Sequence, residues 1–232
     1  KNNLFGMSHP NDVVVITHSA PLYNLPCHKP RCLESMLYLE MLDSSLDYQR
    51  KICSYNINPF SKSIELPIVR YKNRTIIGGS NNSTIDTLEN IFKNSGLNCQ
   101  LSPTQKADLI ALTSLIRDKL HLVTLHQIYA DEQNWREYSR LMGNYLPFLP
   151  RKWLLNKERL SVLELLQKHQ IISKKQAIDL LDDCLNVIYL KMNGIKALND
   201  YSNNNNDIDN EYFFGSDISS LDAVLVSELA IL

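Results

Sequence analysis

The most constraining stretch of this chain is its last, Phe213 to Leu232, where Ser219 precedes an almost unbroken apolar run from Ala223. Ser219 followed three residues later by Asp222 is the pattern of a helix N-cap with an acidic third helical position. The Ser hydroxyl accepts a first-turn N–H, and the carboxylate reaches back to the cap's own N–H. Ile218 and Ala223 supply a small hydrophobic staple around that cap. A helix this apolar is expected to be buried on all sides.

Upstream the hydrophobic period changes once. Asp12 to Thr17 is a β-branched run of the kind that makes a buried strand. A Pro-punctuated loop, 18–30, follows. From Arg31 to Leu42, Leu33, Met36, Leu37 and Met41 recur at helical spacing, with Pro30 suited to the first turn. Leu46 to Cys53 alternates as a second strand. Leu66 to Tyr71 and Arg74 to Ile77 read as a hairpin turning at Lys72-Asn73, with Pro67 at its head. Ser80 or Asn81 caps a helix through Ile85, Leu88, Ile91 and Phe92, closing at Gly96. The segment 54–63 has no strong period and reads as a loop or short turn.

From Ser102-Pro103-Thr104-Gln105, a second capping box, every period is helical. Leu109, Leu112, Ile116, Leu120 and Val123 line one long helix, with Asp108, Asp118 and Asp131 on its wet face. Asn144 to Pro150 breaks it, a helix runs from Leu154 to His169, and Ser173 caps the next. The insert 201–210 (YSNNNNDIDN) is too polar to order itself. The order β-α-β-loop-β-β-α followed by helices alone predicts an α/β thioredoxin-like domain over 1–97 and an all-helical domain over 102–232.

Net charge is −1 and the Lys and Arg are scattered, which argues against a nucleic-acid partner. The 5 Cys, an odd number, read as reduced thiols of an intracellular protein. No signal-peptide core is visible at the N-terminus, and no run approaches the ~18 apolar residues of a membrane span. Cys27 and Cys32 form a C-x4-C pair around His28 without a second pair, so no metal site is expected.

A thioredoxin-like half followed by an all-helical half resembles the glutathione S-transferase-like superfamily. Within it the chain is most similar to the metaxin and failed axon connections branch. The resemblance rests on Asp12 to Ile16, Pro30-Arg31-Cys32-Leu33-Glu34, Glu65-Leu66-Pro67, Leu101 to Tyr129, Trp135, and Phe213 to Leu229, where Phe213 to Ala223 matches the signature opening the central buried helix.

That resemblance implies a site for glutathione's thiol between the first strand's end and the first helix's start, where Ser19, Tyr23 and Cys32 are the candidate catalytic groups. The family's Cys- or Ser-led turn reads Lys29-Pro30-Arg31-Cys32 here. Its usual nucleophile position is therefore a lysine, which counts against thiol chemistry, and Cys32 is expected to be core. Cys27, in the Pro-rich loop, is then expected to react first with alkylating agents.

For ligand binding the resemblance implies a cis peptide before Pro67, the backbone of Leu66 meeting glutathione's cysteinyl part, and Ser80-Asn81 holding its γ-glutamyl carboxylate. His121, His126, Tyr129, Trp135 and Tyr138 are cleft or core aromatics. The implied function is a glutathione S-transferase-like protein that binds glutathione, with weak conjugating activity. The alternative is a non-catalytic metaxin-type adaptor in mitochondrial outer-membrane protein import, or a scaffold with a vestigial pocket. The implied partners are glutathione, a second copy of the chain and a protein at an organelle membrane. The implied location is cytoplasmic or peripheral to the mitochondrial outer membrane.

Overall fold

The computed structural model describes residues 13–42, 48–52, 66–72, 74–77, 84–92, 95–146, 150–202, 212–215 and 217–232. The chain divides into two compact units, Lys1–Gly96 and Leu97–Leu232.

The first unit contains β1 (Val14–His18), α1 (Pro30–Leu42), β2 (Tyr48–Ile52), β3 (Ile68–Tyr71), β4 (Arg74–Ile77) and α2 (Thr84–Ile91). Its sheet runs β2-β1-β3-β4. β1 and β2 are parallel, joined through α1, while β3 pairs antiparallel with both β1 and β4. This is a thioredoxin-like arrangement. Val14, Ile16 and Val69 are buried in the central strands, as their β-branched side chains favour. β2 is the edge: Gln49, Arg50, Lys51 and Ile52 are all exposed, and its two cations blunt further pairing.

α1 buries Leu33, Met36, Tyr38 and Leu39, so Tyr38 and Leu39 fill the inner face more than the expected Leu37 and Met41, which are half-buried. The Tyr38 hydroxyl donates to Glu89 Oε1 of α2 at 2.8 Å and ties the two helices together. The expected caps Ser80 and Asn81, and the segment 54–63, lie outside the described residues.

The second unit is all-helical: α3 (Pro103–Leu115), α4 (His121–Leu125), α5 (Glu132–Met142), α6 (Arg151–Lys168), α7 (Lys174–Ser202) and α8 (Ser220–Leu229). α3 and α4 belong to one continuous helix in which Ile116–Leu120 and His126–Ala130 are π-helical. The widened turns explain an otherwise odd burial pattern. Leu112, Ile116, Leu120, Thr124 and Ile128 are all buried, at successive steps of four. In a regular α-helix each such step drifts about 40° round the axis, and four of them would carry the row most of the way to the opposite face. The π turns hold more residues each and keep the row on the core side.

The capping box at Ser102 forms: Ser102 Oγ accepts from Gln105 N at 3.3 Å, and Gln105 Oε1 accepts from Ser102 N at 2.9 Å. Ser173 and Gln176 repeat it at the head of α7. Asp131 departs from expectation. It is not on a wet helical face but is the N-cap of α5, its Oδ1 accepting from Gln133 N and Asn134 N at 3.0 and 3.1 Å. Those two N–H bonds hold its carboxyl below the usual carboxylate range.

The terminal helix also differs from a uniformly buried rod. Asp222 Oδ2 accepts from Ser219 N and from Ser219 Oγ, both at 2.8 Å, and its Oδ1 accepts from Phe213 N at 3.0 Å. Asn98 takes the next group, Oδ1 accepting from Ser220 N at 3.0 Å. The Ser219 hydroxyl thus donates to the carboxylate that shares its capping box. Along α8, Ala223 and Val224 are buried together with Ser227 and Glu228, whereas Val226 and Leu229 are exposed. Glu228 is buried because it has partners on the π-widened helix: Thr124 Oγ1 donates to Oε2 at 3.2 Å, and His121 Nδ1 lies 3.1 Å from Oε1, off-line for a hydrogen bond. A buried carboxylate without such groups would be costly.

Candidate functional site

β1, an inner strand, delivers His18 and Ser19 to one end of the sheet, and the chain then doubles back through a tight turn. Leu22 and Leu25 bridge, Leu25 N donating to Leu22 O at 2.9 Å. Tyr23 and Asn24 between them have φ of 54° and 61°, the left-handed pair that a two-residue reverse turn requires. Asn accepts that conformation readily and Tyr less so. The turn puts Tyr23 at an exposed tip and brings Cys27 and His28 back beneath Ser19.

There Ser19 Oγ lies 2.8 Å from Cys27 Sγ. Lys29 N donates to the same sulfur at 3.4 Å. His28 Nδ1 lies 2.9 Å from Ala20 O and 3.4 Å from Ser19 Oγ. Because a carbonyl only accepts, Nδ1 carries the proton. His18 makes the matching contact with Ser19 O at 2.7 Å. Lys29 O accepts from Cys32 N at 3.0 Å as α1 begins.

The two thiols are pushed apart. Hydrogen bonding from Cys32, and then from His18, Ser19 and the Lys29 N–H, holds Cys27 well below the ordinary thiol range against the opposing effect of burial. Cys32 is pushed up by its bond to Cys27 and by burial. The opposed shifts make Cys27 the more acidic of the two thiols.

Of the residues singled out from sequence, the structure brings Ser19, Cys27, His28 and Cys32 together and adds His18. β3 approaches them through register: Thr17 pairs with Ile68, the residue that follows Pro67. The Leu66–Pro67 peptide is cis. Tyr23 is exposed at its turn tip, and Ser80 and Asn81 lie outside the described residues.

One sequence expectation changes. Cys27 is not an open-loop thiol, because Cys27, Cys32 and Ser19 are all 0% exposed. A sulfur closed off in this way is out of reach of an electrophile in solvent.

In the second unit the aromatic candidates are core. Tyr129, Trp135 and Tyr138 stack with centroids 5.2–5.7 Å apart. The Tyr129 hydroxyl donates to Glu158 Oε1 at 2.8 Å, and Arg159 lies 5.0 Å over Trp135. Burial pushes His126 below its ordinary range. A surface depression along α5 of about 720 Å³ is lined by Glu132, Arg136, Glu137 and Arg140, charges that pair with one another. None of the residues singled out above lines it. Among the described residues no group of three or more His, Cys, Asp and Glu is placed to hold a metal ion, and no helix is long and apolar enough to cross a membrane.

A thioredoxin-like unit followed by an all-helical unit that ends in a capped helix is the arrangement of a glutathione-transferase-like protein. Residues 32–159 match the Tom37 family model, described as outer mitochondrial membrane transport complex protein. The match spans more than half of the sequence, and the chain belongs to that family, in the metaxin branch of the superfamily. No curated protein matches it. Among solved structures it is similar to the beta-etherase LigF from Sphingobium sp. strain SYK-6, at 12% identity and a TM-score of 0.49, over 94% of this chain and 82% of that one. The sheet order and helix sequence, not that likeness, carry the fold.

Proposed function

We propose that this protein is a non-catalytic, metaxin-type component of an outer mitochondrial membrane transport complex, bound peripherally to that membrane. The observation that carries the reading is the family match from the start of α1 into α6. Two features of the site support it. The position where a transferase keeps its reactive group holds Lys29, and the nearby Cys27 is enclosed.

The test is fractionation of cells expressing the tagged full chain. The expected result is co-sedimentation with mitochondria, digestion by protease added outside, and co-purification with an outer-membrane transport complex in mild detergent. A wholly cytosolic protein with measurable glutathione-conjugating turnover would refute it.

Glutathione binding is the second reading, favoured by the convergence of Ser19, Cys27, Leu66 and Pro67 at one sheet end. Its test is thermal protection: a ligand at 100 times its dissociation constant adds about 2.7 kcal/mol. An unchanged melting temperature at millimolar glutathione removes it.

A further inference from the structure

α7 carries an apolar row that faces away from its own unit. At 100° per residue, Met192, Leu185, Ile178 and Tyr189 fall within about 60° of one another, and they are 43, 38, 46 and 63% exposed. Leu181, half-buried, continues the row towards the core. The core face itself is separate and complete, made by Ala177, Cys184 and Ile188, all buried. The row's spacing, steps of three and four, is that of a seam meant for another helix. Isolated apolar residues on a surface are ordinary; an aligned set over four turns is not.

Charge distinguishes the occupants. Asp182 borders the row, and Asp179 and Asp183 follow on the same side, all exposed. Along the row itself, between Gln176 and Gly194, Lys191 is the one basic residue and is held by Asp108 at 2.9 Å, while the exposed Lys174 and Lys175 precede the row in the first turn of α7. An antiparallel second copy would set this acidic edge against itself, which like charges disfavour. An anionic lipid surface would be repelled in the same way.

We infer that the α7 row of Ile178, Leu185, Tyr189 and Met192 is a docking surface for an amphipathic helix of a partner protein, one with an apolar ridge and Lys or Arg along the edge that meets Asp179, Asp182 and Asp183. The row binds the ridge, and the aspartates select the charge and orientation of the partner. The inference goes beyond the proposed membrane role and is tested on purified full chain, so neither result decides the other.

The probe is a fluorescent synthetic helix with Leu at i, i+3, i+4 and i+7 and Lys on its flanks, followed by anisotropy. A control carries Glu in place of each Lys. Saturable binding is expected for the Lys helix and none for the Glu helix. Leu185→Asp with Tyr189→Asp should abolish binding while far-UV circular dichroism stays unchanged, since both side chains are exposed. Asp179→Asn, Asp182→Asn and Asp183→Asn together should weaken it about tenfold at low salt, the deficit fading at high salt. Equal affinity for the two helices, or no saturable binding, would overturn the inference. So would self-association abolished by Leu185→Asp, which assigns the row to a second copy. Binding to anionic vesicles in preference to the Lys helix would overturn it as well.

Discussion

Replacing Asp222 by Ala tests how the terminal helix is held. The carboxylate accepts from Phe213 N, Ser219 N and Ser219 Oγ. Phe213 is 4% and Ser219 0% exposed, so water does not take over when the acceptor goes. Leaving a buried donor unsatisfied costs about 1–3 kcal/mol, and two backbone N–H groups are orphaned. Ser220 N keeps its bond to Asn98, which limits fraying of the turn. The expected loss is therefore about 3 kcal/mol, above the ~1 kcal/mol of an ordinary surface cap. Asp222→Asn keeps a carbonyl acceptor and should cost roughly half as much. Ser219→Ala removes the hydroxyl that donates to the carboxylate and should cost about 1 kcal/mol. Both tryptophans, Trp135 and Trp153, lie in the helical unit, so their fluorescence during urea titration reports on this unit alone. With a slope near 3 kcal/mol per molar, Asp222→Ala should lower the midpoint by about 1 M. An unchanged midpoint, or equal losses for Ala and Asn, would show that the carboxylate does not bear these bonds.

Further expectations concern the thiols and the π-widened helix. Iodoacetamide under native conditions should label the exposed Cys99 far faster than Cys27 or Cys32; peptide mass spectrometry showing Cys27 modified at the rate of Cys99 would contradict its enclosure. Cys27 has its proton affinity lowered on folding, so the stability it contributes is present above the unfolded thiol value and is lost as pH falls towards its folded value of about 4. Cys27→Ser should accordingly flatten the rise in stability between pH 5 and 8, in urea titrations followed by circular dichroism, and an unaltered pH profile would refute the lowered proton affinity. Leu120→Ala, at a fully buried position, should cost about 2–5 kcal/mol. Ile110→Ala, 65% exposed on the same continuous helix, should cost under ~0.5 kcal/mol by the same fluorescence assay.

The fold was largely legible because its signals are local and agree with one another. The β-branched run at Val13 to Ile16, the Pro67-led hairpin and the Ser102 capping box each point to one backbone state, and each is found there. What escaped the sequence depends on distant partners. Asp131 interrupts a run with no Gly or Pro, and only its side-chain bonds to two N–H groups show that a new helix starts. The burial of Glu228 and the exposure of Leu229 invert what hydropathy suggests, because Thr124 and His121, far off in sequence, make the carboxylate's environment. Cys27 looked open since prolines surround it, yet the turn at Tyr23-Asn24 folds the loop inward. That turn has a weak signal of its own, an Asn between two Leu. The separation of the two thiols has none, since it arises from contacts that form only on folding.

The two widened turns of the long helix record where its length is adjustable. A π turn differs from an α turn by one residue per closed ring. Excising one residue between Ile116 and Leu120 would tighten that turn to α geometry, leaving the flanking turns and the row's core-side phase nearly intact. The same excision within α3, between Thr104 and Leu112, has no slack to absorb it and would rotate everything beyond by about 100°. Related chains of different length in this region should therefore gain and lose residues at these two turns, and a one-residue deletion scan would find tolerance confined to them.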